Sequence, residues 1–362
     1  MKQTTTRSRM IKWLPNCLSA LSTLAVMSMV FTPWQNVQAC SRILYETGTG
    51  TYIVGRTMDW ADPSVEVALW LLPRGLEREG DVGKNPLRWT SKYGSMIISM
   101  YDIGTNDGMN EKGLIVNTLY LAESEYGDPA KRGKPTISVC AWAQYFLDNY
   151  ATVKEAVEAM KDDPFTVTTL TFPNGRKALG HLSISDPTGD SAILEYLEGK
   201  LVIHHGPQYK VMTNSPTYDQ QLALNDYWDL IGGNKFLPGT ISPADRFVRL
   251  SYVLKVSEKY KDPKLALASV FSQIRAISVP LSLSDPDKPN VSMTLWRSIM
   301  DHSEKMYYFE TALMPTVTWV DLKKVDFRKG SGARKIQIDA KTDLSGEVSK
   351  EFKPAEPFTW IK

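Results

Sequence analysis

The chain has 362 residues, with 42 lysines and arginines against 40 aspartates and glutamates, a formal net charge of +2. Residues 1–39 hold four of the basic side chains (Lys2, Arg7, Arg9, Lys12) and no acidic one, so the remaining residues carry a net −2. That balance, without basic runs, excludes nucleic acid and anionic membrane surfaces as partners, while 43% hydrophobic residues supply a large core.

Taken in chain order, residues 1–39 read as a cleaved secretory signal. A basic start precedes the apolar run Cys17–Phe31, and Val37-Gln38-Ala39 gives the small-residue cleavage context. An apolar run of ~15 residues is shorter than the ~20 that span a bilayer. The expectation is export to the periplasm or the medium, with no membrane association once residues 1–39 are removed. Residues 40–362 contain no linker or internal repeat and are expected to form a single domain.

After Cys40, "CSRILY" and "TYIVGRTMDW" flank "ETGTG", which predicts a hairpin that brings Arg56 and Asp59 back beside the start of the mature chain. Strands are predicted at Met96–Tyr101 and Leu114–Leu121, joined by "DIGTNDGMNEKG". Pro135 and Thr136 open a predicted helix through "ISVCAWAQYFLDNY". Thr152 and Glu155 form a capping box for a second, in which Val153, Ala156, Val157 and Met160 make the apolar stripe. "HLSISD", "SAILEYLE" and "KLVIHH" predict an antiparallel meander, and "YKVMTNSP" a strand ending at Pro216. Ser242-Pro243 and Asp262-Pro263 each start a helix, and the stretch from Ser292 to Asp326 returns to strands. Runs of strands between runs of helices favour an antiparallel α+β layered fold over a doubly wound parallel sheet.

HExxH, CxxC, Walker A and GxSxG motifs are absent, and the four histidines (His181, His204, His205, His302) are scattered, so neither a metal site nor a nucleotide cofactor is expected. Cys40 stands out instead. Cleavage after Ala39 gives it a thiol and a free α-amino group; the amine's pKa of ~7.7–8 lets it take the thiol proton, whose pKa is ~8.5, near neutral pH. One residue then supplies nucleophile and base. Arg56 would favour the thiolate and Asp59 would hold the amine, although by spacing alone an ordinary local Arg56–Asp59 ion pair is the better fit. Two other uses of Cys40 stand beside this one: a disulfide to Cys140, and lipidation of Cys40 that would make the chain an anchored envelope binding protein. Gln38 and the polar gap "TPWQN" fit a lipidation signal poorly.

These stretches, taken together, resemble the choloylglycine hydrolase (linear amide C–N hydrolase) family of N-terminal-nucleophile hydrolases, which includes penicillin V acylases and bile-salt hydrolases. The resemblance rests on Cys40, "GRTMDW" (Gly55–Trp60), "NDGMNEKGL" (Asn106–Leu114), "VMTNSP" (Val211–Pro216) and "SPADRFVR" (Ser242–Arg249), in family order. It implies a four-layer αββα sandwich of antiparallel sheets. It also implies Cys40 as nucleophile, assisted by Arg56 and Asp59, with Asn214 at the oxyanion and Arg246 completing the site. The partner would be a small-molecule N-acyl amide and no cofactor would be needed. Trp60 and Tyr120 would line an aromatic acyl pocket, which ranks penicillin V-type amides and N-acyl homoserine lactones ahead of bile salts. Members are often tetrameric, but no stretch here identifies an interface.

Overall fold

The hairpin expected after Cys40 is the centre of the fold. In the computed structural model, which describes residues 40–80, 83, 85–171, 177–232, 235–283, 292–339 and 344–360, Ser41–Glu46 and Tyr52–Trp60 pair antiparallel with Arg42 opposite Arg56. The Thr47 N–H donates to Thr51 O across the turn at 2.8 Å, and Gly50 takes the left-handed φ of 76°. Val211–Met212 borders the hairpin on one side. On the other, Met293–Asp301, Met306–Thr311, Thr318–Asp321 and Gly346–Glu347 complete a sheet that has seven strands among the described residues.

A second sheet, of nine strands among the described residues, runs in the order Lys200–His205, Ser191–Leu197, His181–Ser185, Ile115–Leu119, Gly104–Asn110, Ser95–Met100, Val67–Leu72, Arg334–Ile338 and Lys353–Pro354. All its neighbouring strands are antiparallel. The facing sides of the two sheets bury Val54, Leu69, Ile98, Met109 and Met300 in one core. Helices Pro243–Val256 and Pro263–Ile277 cover the outer face of the seven-stranded sheet. Val139–Asn149 and Val153–Met160 cover the nine-stranded sheet, burying Trp142, Phe146 and the predicted stripe Val153, Ala156, Val157 and Met160. The result is the four-layer αββα sandwich. Each fully buried Leu, Ile or Phe in these two layers of core contributes roughly 1.5–3 kcal/mol.

Local chemistry sets the helix starts as the sequence indicates. Ser242 accepts from Asp245 N, Asp262 from Lys264 N and Leu265 N, and Thr152 from Glu155 N. Two glycines in the quoted stretches permit close layers. A Cβ at Gly55 would stand 2.6 and 2.7 Å from side-chain carbons of Ile274 and Val270, and one at Gly108 would meet Leu147 of the covering helix at 3.0 Å.

The fold departs from expectation at several elements. The segment "GTNDGMN" is a strand, Gly104–Asn110, rather than a connection, because its buried polar side chains have tertiary partners that outweigh poor strand propensity. Thr136–Ser138 is a short strand, so the helix begins at Val139 with Ser138 as its cap. The strand from "YKVMTNSP" is confined to Val211–Met212, and the Ser215–Pro216 peptide is cis. Val67–Leu72 is a strand and Tyr218–Ile231 a helix, neither of which the sequence reading placed. The residues read as a signal lie outside those described.

Candidate active site

Cys40 precedes the first strand of the hairpin and is only 3% exposed. Its Sγ lies 3.7 Å from Met58 Sδ and 3.9 Å from Asp59 O, and Cys40 lines a cavity of about 120 Å³ with Trp60, Met100, Thr118 and Tyr120. The hairpin register explains the gathering: Ser41 pairs with Thr57, so the end of the second strand folds over Cys40.

Arg56 and Asp59 sit near the thiol but do not form the simple ion pair that their spacing allowed. Arg56 is fully buried and pairs with Asp107 of the other sheet at 2.5 Å, while its Nη2 donates to Thr118 O at 3.0 Å. The guanidinium also stacks over the Trp296 ring, 5.9 Å from its centroid. Asp107 is held in turn by Ser298 Oγ at 3.1 Å and by the Tyr307 hydroxyl. Burial opposes the charge on Arg56, but Asp107 and the nearby thiol more than offset it, and the arginine's pKa is raised. Arg56 is thus a fixed cation between the sheets.

Asp59 points elsewhere. Thr294 Oγ1 donates to its Oδ1 at 2.5 Å and Thr57 Oγ1 reaches Oδ2 at 3.5 Å. Burial raises its pKa to about 6, against the opposing pull of Arg246 and Arg56. Burial also pushes the Cys40 thiol up, with Asp59 adding to that effect while Arg56 and Arg246 draw the thiol down.

Arg246, which a helix position beside the apolar face would allow to be solvated, is fully buried. Its Nη1 donates to Cys40 O at 2.7 Å and to Ser41 Oγ, its Nη2 to Asn214 Oδ1 at 3.2 Å, and its Nε to Ile241 O at 2.9 Å. Asn214 in turn donates from Nδ2 to Tyr120 O at 2.8 Å, which uses one of its two amide protons. One set of hydrogen bonds therefore links Cys40, Arg246, Asn214 and Tyr120, while Arg56, Asp59 and Trp60 come from the adjoining strand. Desolvation lowers the Arg246 pKa to about 10 even with Asp59 and Cys40 nearby.

This arrangement occurs in a chain whose residues 40–342 match the profile of the linear amide C–N hydrolases, choloylglycine hydrolase family. The chain belongs to that family. It is 49% identical over 345 residues to a penicillin V acylase of Pectobacterium atrosepticum, covering 88% of this chain and 91% of that one. The solved penicillin V acylase from Agrobacterium tumefaciens superposes with a TM-score of 0.82 at 47% identity, covering 89% of this chain and 99% of that chain. A conjugated bile acid hydrolase from Clostridium perfringens shares the fold at a TM-score of 0.71 and 24% identity, covering 84% and 99%.

As a choloylglycine-family member the chain is a hydrolase of linear amide C–N bonds. Sequence reading missed several supports of its candidate site: Asp107, Ser298 and Tyr307 around Arg56, Thr294 on Asp59, and Trp296 beneath the guanidinium. Asp107 was within reach, because it is the acidic residue of "NDGMNEKG", but that stretch reads locally as a loop. Cys40 and Cys140 are both free thiols and both line the cavity. Among the described residues no group of three or more His, Cys, Asp or Glu is placed to hold a metal ion.

Proposed function

We propose that the chain is an exported cysteine amidohydrolase of the penicillin V acylase type, with Cys40 as its N-terminal nucleophile. The observation that carries the reading is the buried Cys40 Sγ in the wall of a cavity that Trp60 and Tyr120 also line, with Arg56 and Arg246 as fixed cations near it. Ala39 must first be cut away to free the Cys40 amine. The amine then takes the thiol proton, and the thiolate attacks the amide carbonyl carbon. The second amide proton of Asn214 and a backbone N–H meet the developing oxyanion, where one such donor is worth roughly 2.7–4 kcal/mol. The C–N bond breaks as the Cys40 ammonium protonates the departing amine. Water, deprotonated by the same amine, cleaves the thioester and restores the thiol.

In this reading Asp59 holds the amine. Its raised pKa belongs to the uncleaved chain, and a new ammonium beside it would favour its ionised form. The cavity's size and its Trp60 and Tyr120 walls suit a phenoxyacetyl group or a short acyl chain, such as that of an N-acyl homoserine lactone, better than a four-ring steroid. A bile-salt substrate is therefore the second reading. The burial of Sγ supports a free thiol over a lipid-bearing one.

The deciding experiment pairs the intact mass of the exported protein, with and without iodoacetamide, with hydrolysis of penicillin V, an N-acyl homoserine lactone and a conjugated bile salt. The expected result is a chain starting at unmodified Cys40, alkylated there, active on the first two and inactive as Cys40→Ala. A lipid adduct, another start, or turnover by Cys40→Ala overturns the mechanism.

A further inference from the structure

Asn214 lies in a segment with little regular structure, between the two-residue strand Val211–Met212 and the helix Tyr218–Ile231. A side-chain amide that must meet an oxyanion needs a fixed backbone, and a displacement of about 1 Å can cost about a hundredfold in rate. The segment is held by two residues of the other sheet that have no part in the chemistry described above.

Those residues are His181 and Glu195, both fully buried on adjacent strands. His181 Nε2 lies 2.8 Å from Thr213 O, and its Nδ1 lies 2.9 Å from Glu195 Oε1. A carbonyl oxygen only accepts, so Nε2 carries a proton, and one more proton is shared between Nδ1 and the carboxyl group. The pair is then neutral as a unit, which makes its burial tolerable. Glu195 also accepts from Tyr218 N, at 3.2 Å to Oε1 and 3.1 Å to Oε2. Thr217, the N-cap of that helix, makes no side-chain cap bond, so Glu195 supplies the missing acceptor at the helix's positive end. The two side chains thus grip the segment at Thr213 and at Tyr218, on either side of Asn214. Between these points Gln221 Nε2 donates to Asn214 O and, at 2.6 Å, to Pro216 O.

We propose that His181 and Glu195 act as positioning residues that hold Asn214 at the oxyanion without touching the substrate. The inference rests on Asn214 being the oxyanion donor. His181→Phe removes both ring hydrogen bonds while filling the same space. Glu195→Gln is the conservative partner, because its amide can donate to Nδ1 and still accept from Tyr218 N.

The test measures kcat, KM and the rate of Cys40 alkylation by iodoacetamide on a phenoxyacetyl amide, for the mature wild type, H181F, E195Q, N214A and H181F/N214A. Amide exchange across residues 211–221 is followed in parallel. H181F is expected to lower kcat by about 10- to 100-fold, with KM and alkylation nearly unchanged and faster exchange confined to that segment. E195Q is expected to stay near the wild type, and H181F to have no further effect in the N214A background. Should H181F not fold, Glu195→Met, which removes the partner of His181 Nδ1 and the acceptor for Tyr218 N, takes its place in the same cycle. Undiminished kcat, an equal loss with and without Asn214, or unchanged exchange overturns the positioning role. An N214A protein as active as the wild type overturns the oxyanion assignment instead. If the wild type hydrolyses no amide, the functional reading falls and the exchange data alone decide whether the pair holds the segment.

Discussion

Arg246 and Asn214 meet beside the backbone of Cys40: Nη2 of the arginine donates to Asn214 Oδ1 at 3.2 Å while its Nη1 donates to Cys40 O at 2.7 Å. The guanidinium fixes the amide's orientation, because its oxygen accepts from Arg246 and its nitrogen therefore faces Tyr120 O. A lysine has the charge but no planar fork to reach both acceptors. Arg246→Lys is expected to lower kcat by about 10- to 100-fold while Cys40 still reacts with iodoacetamide. Steady-state kinetics beside the alkylation rate check this, and wild-type kcat in the variant would refute the role.

The Arg56–Asp107 pair joins the two sheets at 2.5 Å with both side chains fully buried. Asp107→Asn removes the negative charge and leaves the Arg56 cation without a counter-ion. Breaking a buried pair from one side typically costs about 3–5 kcal/mol. The expected outcome is a loss of that order in denaturant unfolding, larger than that from replacing Ser298, whose hydroxyl only adds a bond to Asp107. A loss under about 1 kcal/mol would place this pair with the weak, exposed kind.

What the sequence revealed and what it hid follow from the range of the interactions. The hairpin, the Ser242 and Asp262 caps and the Val153–Met160 stripe depend on residues a few positions apart, and all are legible by eye. Cys40, Arg56 and Asp59 were brought together by that same hairpin. Asp107 is 51 positions from Arg56, and its bond exists only because two sheets stack, so a stretch rich in Gly, Asn and Asp reads as a turn. The helix Tyr218–Ile231 buries only Tyr218 and Gln221 among its residues and therefore has no apolar stripe to announce it. His181 looks like one more scattered histidine until Glu195 and Thr213 surround it.

Gly55 lets the helix Pro263–Ile277 lie directly on the strand that bears Arg56 and Asp59. A methyl group there would stand 2.6 Å from Ile274 and 2.7 Å from Val270, inside any real contact distance. Gly55→Ala is expected to destabilise the protein by about 1–3 kcal/mol through overpacking. Pairing it with Ile274→Ala, which removes the Cγ1 that the new methyl group would meet, should cost less than the sum of the two single losses. Denaturant midpoints of the single and double variants measure this, and strict additivity of two losses would show that the contact is not the cause.

Asp59 gives the uncleaved chain a pH signature of unusual sign. Most buried carboxylates are stabilised by partners and favour folding as pH rises, but burial lifts this one from 3.8 to about 6. The folded state then binds more protons than the unfolded state between those values, so Asp59 contributes stability below pH ~4 and loses it as pH rises through about 6. The difference integrates to roughly 3 kcal/mol at most. Asp59→Asn is neutral throughout and lacks this slope. Relative to the wild type, the Asn variant should therefore become more stable by up to that amount between pH 4 and pH 7, measured by urea unfolding of the uncleaved chain. Freeing the Cys40 amine should place a cation beside Asp59, lower its pKa and shrink the difference. A stability difference independent of pH in both forms would show that Asp59 is ionised throughout, and that its partners outweigh its burial.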